Sequence, residues 1–556
     1  MTVDGMTVRS CRRVCLLAAL LASVAMAGGM ALAQTTNAEV QTPVLDHLGT
    51  HHVPITTTSE PAQRAFDQGI RLVYAFNHAE AIRSFEEALR HDSSAAMAYW
   101  GIAYALGPNI NAPMDMLHVP RAVEAIEKAK ALDKRATPRE RAYIAALGRR
   151  YSASKRADQK ALDRAYAKAM RDVARRFPDD PDAATLYAEA LMDVRPWDYW
   201  TREGKPQPGT QEIVSTLEGV LKQHPNHPGA CHYYIHAVEA SLEPQRALAC
   251  AERLPDLMPG AGHVVHMPAH IYMRVGLYAK AAEHNRHAAD VDQAYVRDRG
   301  GGWFYRMLYV PHNLHCLWAV LAMDGRRRES IETARELQQV FSFDQARQVP
   351  ELEIYTPTVS LALVRFGEWS SVLQEPAPPD DLLFATGIWR FARGVALTRM
   401  GRLDEAENER RQLTTLEAGS RSERLVDLNS AKVLLTIAGH VLAGELAAAR
   451  RDFDAAVKEL KQAVVLEDGL VYAEPSNWYA PVRQYLGALL LADGRSVEAE
   501  TVYREDLRRH PENGWSLFGL AAALRAQKKD QEVESVEQRF LKSWARADVV
   551  LTSSRF

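Results

Sequence analysis

Eight residues near the middle of this 556-residue chain are of types that bind metals or move protons, and their spacing is regular. His232, His236 and Glu239 form a first group, His263, His266 and His270 a second, and His312 with His315 a third. His232 to His266 and His236 to His270 are each separated by 34 residues. Imidazoles at i and i+4 of one helix can share an ion, and facing pairs from adjacent helices can complete its coordination sphere, with nitrogen–zinc bonds of about 2.0–2.1 Å. A nitrogen set with at most one carboxylate suits copper or zinc, and iron if Glu239 ligates. Glu239 has three roles open to it: ligand, acceptor for an imidazole N–H, or general base. Met258, Met267 and Met273 lean towards copper, although methionine at helical spacing also fills cores. The chain has 19 histidines, and crowding seven onto one face has no packing advantage, because burial and mutual repulsion penalise protonation near pH 6.5. Seven is more than one tetrahedral ion needs, so two ions, or one ion with acid–base histidines, both fit.

The elements that must position these residues are paired amphipathic helices. Apolar spacing of three and four dominates from end to end, which argues for helices and against strands. The first clear unit is Phe66-Asp67-Gln68-Gly69 followed by Ala81, Phe85 and Ala88. A small residue eight positions in lets the first helix approach the second, Ala at position 20 returns the approach, and an aromatic four residues later fills the gap. This pattern resembles the tetratricopeptide repeat family, with its period of about 34 residues. The expected fold is therefore all-α: an α-solenoid, a right-handed superhelix of tetratricopeptide-like hairpins, in which each hairpin buries its apolar stripe against its neighbour.

Turn glycines and small residues set the phase without using any histidine. Ala247 at position 20 starts a unit at Pro228. Gly276 with Ala281 starts one at Gly262, Gly325 one at Pro311, Gly367 one at Glu353, and Gly401 with Ala406 one at Gly387. Ala455 starts one at Thr436, Gly494 with Ala499 one at Ala480, and a last hairpin begins near Gly514. Residues 102–222 depart from the period, with helices expected over Arg121–Leu132, Arg139–Tyr151, Lys160–Phe177 and Asp182–Asp193. The resemblance implies a concave groove lined by positions 2, 5, 9 and 12 of each first helix. In the unit at Pro228 these are Gly229, His232, His236 and Glu239; in the next, His263, His266, His270 and Met273; in the unit at Pro311, His312, His315, Ala319 and Ala322. Tetratricopeptide grooves that bind peptides typically carry Asn, Lys and Arg there, so histidine is a departure.

The sequence divides into a leader (1–33), a polar extension (34–60), an irregular helical region (61–222), the histidine-bearing repeats (223–345) and further repeats (346–545). Arg9, Arg12 and Arg13 precede an apolar run closing in Ala31-Leu32-Ala33, which reads as a signal peptide cleaved before Gln34 and implies export to the periplasm or the medium. No later segment is expected to reach the roughly 20 apolar residues of a membrane span. The formal charge is −3 and becomes more negative once the leader is removed; with no basic face, nucleic acid is not an expected partner. Cys231, Cys250 and Cys316 are too few and too widely spaced for a disulfide framework, though one pair can bridge in an oxidising compartment.

Other features are secondary. His47, His51 and His52 lie in the extension, which either folds back or is loop, and His78 reads as a turn or cap residue. His224, His227, His284 and His287 fall outside the groove positions. Gly300-Gly301-Gly302-Trp303-Phe304-Tyr305 is a glycine-hinged aromatic insert, a lid or a hydrophobic plug, and Trp197, Tyr199 and Trp200 form an aromatic knot. The expectation is an exported metalloprotein binding one or two copper, zinc or iron ions. A zinc-bound water with Glu239 as base would hydrolyse, and copper or iron would oxidise. The alternative, implied by the resemblance, is a non-catalytic scaffold binding a peptide, small molecule or protein partner.

Overall fold

The computed structural model describes residues 45–154 and 156–556, so the leader, its cleavage site and the first part of the extension lie outside the described residues. The described chain is all-α apart from a two-residue-per-strand ribbon, Leu425–Val426 with Asn429–Ser430. It forms two compact units, one up to Ile271 and one from Tyr272.

In the first unit, helices Glu60–Tyr74, His78–His91, Ala96–Ala105, Val119–Ala131, Pro138–Leu147, Gln159–Arg176, Pro181–Val194, Thr210–Gln223, Pro228–Val238 and Leu248–Leu257 follow in order, each packed on the next. The four helices expected within residues 102–222 thus form close to their expected bounds, the second stopping at Leu147 rather than Tyr151, and an unexpected fifth, Thr210–Gln223, follows them. The first helix shows why such segments pair. Its buried Ala62, Ala65, Phe66, Gly69, Ile70 and Val73 form one stripe, and the Ser59 hydroxyl caps its first turn. Phe85 then lies between two glycines of successive hairpins: a β-carbon on Gly69 would fall 2.4 Å from its ring, and one on Gly101 2.6 Å. Phe66 and Phe85 are fully buried, worth about 1.5–3 kcal/mol each. These sequential contacts make an α-solenoid. A long-range exception matters for the site: the Pro228–Val238 helix also packs on Glu60–Tyr74.

The second unit repeats the device, with Tyr503 between Gly487 and Gly519 at 2.4 and 2.2 Å from the added β-carbons. Gly276, Gly325, Gly367, Gly401 and Gly494, the expected turn positions, all have φ between +72° and +79°, where a side chain is strained. At the unit phased on Ala455 the register is one residue later. Arg451 holds the left-handed turn (φ 63°), and Ala456 is the fully buried small residue. Two adjacent alanines left that choice to packing. Nor does Pro311 open a helix. Trp303–Met323 runs through it and pairs with Tyr278–Arg299, so the expected insert is the lengthened tip of a hairpin, with Gly300 (φ 77°) as its turn. The helix Ala431–Ala449 corrects the expectation about apolar length. Its 19 residues, with a mean hydropathy of 1.4, are long and apolar enough to cross a membrane by composition; 56% of that stretch is buried, and it packs on Leu403–Gly419 and Phe453–Asp468.

Candidate metal centre

Five of the seven expected histidines converge inside the first unit. His232 and His236 project from one face of Pro228–Val238, and Glu239 sits at that helix's C-terminal end. His263 and His266 lie on the short helix Gly262–His266, and His270 on Pro268–Arg274. Pro268 has no N–H to give to a continuous helix, and the break beside it brings His266 and His270 ring to ring, with centroids 4.6 Å apart.

The hydrogen bonds fix which nitrogens face inward. His232 Nδ1 lies 2.6 Å from the Tyr74 carbonyl oxygen, which can only accept, so that nitrogen carries the ring proton. His236 Nδ1 donates to Glu239 Oε1 at 2.8 Å, and His270 Nδ1 donates to Glu239 Oε2. A neutral imidazole has one proton, so in all three rings Nε2 is a bare lone pair. His232 Nε2 is 3.1 Å from His263 Nε2, and His266 Nε2 is 2.7 Å from His270 Nε2. His236 Nε2 is buried with no hydrogen-bond partner among the described residues. One nitrogen from each of His232, His236 and His263 falls within 4.8 Å of the others.

Burial lowers the His232 and His236 pKa values below the ordinary range, which keeps the rings neutral. Burial alone would raise the Glu239 carboxyl, but the neighbouring His270 and His236 imidazoles bring it to about 2. Both of its oxygens are occupied in orienting rings, so of the three roles open to Glu239 the geometry shows that of acceptor for imidazole N–H groups.

These side chains do not line an open groove. His232, His236, Glu239, His263, His266 and His270 are all at most 3% exposed. Phe76 covers them, its ring centroid 4.6, 6.1 and 5.6 Å from those of His232, His236 and His263, and Trp197 stands edge-on to His236 at 5.1 Å. Both covering residues have left-handed backbone, φ 55° and 62°. Phe76 occupies the turn position that is glycine in five other hairpins, and a bulky residue there costs roughly 1–3 kcal/mol. Sequence reasoning missed Phe76 and the Tyr74 carbonyl. An aromatic at a glycine turn was the available signal for the first, and a backbone oxygen leaves none. Gly229 has a clear reason at its position: a β-carbon there would meet the Tyr74 ring at 2.5 Å.

His312 and His315 belong to the second unit. His315 is a packed aromatic, stacked on Trp318 at 5.2 Å and edge-on to Tyr355 at 5.2 Å, and His312 Nε2 is 3.7 Å from Cys316 Sγ.

A second polar group lies in the first unit. The extension folds back along Glu60–Tyr74 through His52 to Asp67 (2.7 Å) and Val53 N–H to Asp67 (3.0 Å). Asp182 Oδ1 accepts from His51 Nε2 (2.9 Å), His227 Nε2 (3.2 Å) and the Tyr74 hydroxyl. Burial alone would raise the Asp182 carboxyl, but the hydrogen bonds from His227 and His51 hold it well below the usual carboxylate range. His227 Nδ1 caps its helix by accepting from Ala230 N–H at 3.1 Å, so its proton sits on Nε2. The three side chains have a metal-like arrangement, but binding an ion through that Nε2 would require removing the ring's only proton. They border a cleft of about 800 Å³ that also includes Arg139, Arg176, Asp179 and His224.

No family model matches the chain, and no curated protein does. Among solved structures the chain is similar to human IFIT1 dimer with PPP-AAAA (12% identity, 88% of this chain and 91% of that chain, TM-score 0.34). It is also similar to the APC/C hetero-tetramer Cut9–Hcn1 (13%, 83% and 76%, 0.33) and to yeast Tom70 (11%, 86% and 93%, 0.26).

Proposed function

We propose that this chain is an exported metalloprotein that holds a transition-metal ion on Nε2 of His232, His236 and His263. The observation that carries this reading is the commitment of the ring protons: His232 and His236 spend theirs on Tyr74 and Glu239, leaving buried lone pairs turned towards His263. Two nitrogens at about 2.0–2.1 Å from a tetrahedral ion lie roughly 3.3 Å apart, close to the 3.1 Å between His232 and His263. Three neutral nitrogens favour copper or zinc, and iron loses its case with the Glu239 oxygens already engaged.

Three protein ligands leave one position for an exogenous group, the arrangement of catalytic rather than structural sites. Enclosure by Phe76 and Trp197 restricts that group to small molecules. Hydrolysis with Glu239 as base would require it to abandon two imidazoles, so oxidative chemistry at copper fits the arrangement better. Export rests on the leader sequence, and an intact mass beginning at Gln34 is its check. The open cleft beside Asp182 favours a second reading, a scaffold that takes a small polar ligand or peptide there.

The test is metal analysis of chain purified without a histidine tag and exposed to Cu(II) and Zn(II). At least one equivalent is expected, lost in His236→Ala with the helical fold retained by circular dichroism. Less than about 0.2 equivalents of either metal, where a three-imidazole set should saturate, overturns the reading.

A further inference from the structure

We infer that the centre is dinuclear, with a second transition-metal ion held on Nε2 of His266 and His270 beside the ion on His232, His236 and His263. The inference rests on the metal-binding reading above and adds nuclearity to it. Three observations carry it, independently of any titration.

The first is grouping of the ligand nitrogens. One nitrogen from each of His232, His236 and His263 lies within 4.8 Å of the others, while His266 Nε2 and His270 Nε2 face each other at 2.7 Å with their ring centroids 4.6 Å apart. The nitrogens thus offer a set of three and a pair. The second is where the protons are. His270 gives its Nδ1 proton to Glu239, so its Nε2 faces His266 Nε2 as a lone pair. In metal-free protein a single proton on His266 bridges the two nitrogens. For an ion to take that place the proton shifts to His266 Nδ1, a change of tautomer that His227 cannot make because its Nδ1 accepts from Ala230 N–H; the Glu239 bond is undisturbed, and the rings open from 2.7 Å to the roughly 3.3 Å that two bonds of about 2.0 Å require. The break at Met267-Pro268 places that adjustment at a helix junction rather than inside a helix.

The third observation is Glu239. One carboxylate orients a ligand from each group, its Oε1 taking His236 and its Oε2 taking His270. A single ion would need this for one of the two. With two ions, the shared carboxylate sets both tautomers and links the sites, so the ligand class for the pair is a soft-to-borderline cation such as copper or zinc. The remaining positions on the second ion are filled from outside this ligand set.

The experiment is a titration of the metal-free full-length chain with Zn(II) and, anaerobically, with Cu(I). Each titration is run in competition with a chromophoric chelator, and bound metal is counted by elemental analysis. Two equivalents are expected for wild type, one for His266→Ala and one for His232→Ala. Two equivalents retained in His266→Ala place the second ion elsewhere and overturn the inference. One equivalent in wild type overturns it while the metal-binding reading survives, and no bound metal overturns both. Wild-type stoichiometry decides even if a variant fails to fold, and His266→Gln supplies a polar replacement if alanine does.

Discussion

The buried imidazole cluster and the Asp182 group, both in the first unit, are built from the same residue types. Each brings histidines to a carboxylate, and each contains three side chains whose atoms lie within 4.8 Å. They differ in where the second ring nitrogen is spent. In the cluster, Nδ1 of His232, His236 and His270 donates to an oxygen, so Nε2 is a lone pair. In the Asp182 group, His227 Nδ1 accepts from Ala230 N–H and its Nε2 is a donor. Proximity alone does not make a metal site; the partner of the far nitrogen decides whether a near one can bind. Tyr74 serves both regions, its carbonyl in the cluster and its hydroxyl on Asp182.

Three measurements would break or sharpen this contrast. The largest effect is expected from Asp182→Ala, which leaves three donors without their acceptor, two of them fully buried, at about 1–3 kcal/mol each. A loss of about 3 kcal/mol or more in denaturant unfolding is expected, with metal content unchanged. Loss of metal with stability intact would reverse the assignment of the two regions.

A smaller effect is expected from Glu239→Gln. A carboxamide has one oxygen for two N–H donors and turns its own N–H₂ towards the other ring. Metal affinity should fall roughly 10–100-fold, the usual effect of losing a partner that orients a ligand. Unchanged affinity in a competition titration would show that Glu239 does not set these tautomers.

The effect that is smallest at neutral pH separates both regions from a histidine without a charged neighbour. Burial alone lowers His315 to about 3. Above pH 6.5 neither the folded nor the unfolded chain protonates it. As pH falls from 6.5 towards 3, the unfolded chain takes up a proton that the folded chain refuses, so stability is lost at up to about 1.4 kcal/mol per pH unit. His315→Phe should show a correspondingly shallower pH dependence in metal-free protein; parallel curves for variant and wild type would refute the assignment.

The amino-acid sequence alone determined the helices, their pairing and the concentration of histidines in one stretch. Those properties follow from apolar spacing, from turn glycines that tolerate positive φ, and from small residues that admit a neighbouring ring, all of which are local. It also placed His232 and His236 on one helix face. Tertiary structure decided the rest. Whether Ala455 or Ala456 meets the next helix was settled by packing. The cluster was expected in an open groove and is buried, because Phe76 and Trp197 reach it from elsewhere in the chain. The proton on His232 is set by a carbonyl 158 residues earlier. A ring nitrogen has no fixed role until a donor or acceptor is placed against it, and only the folded chain places one.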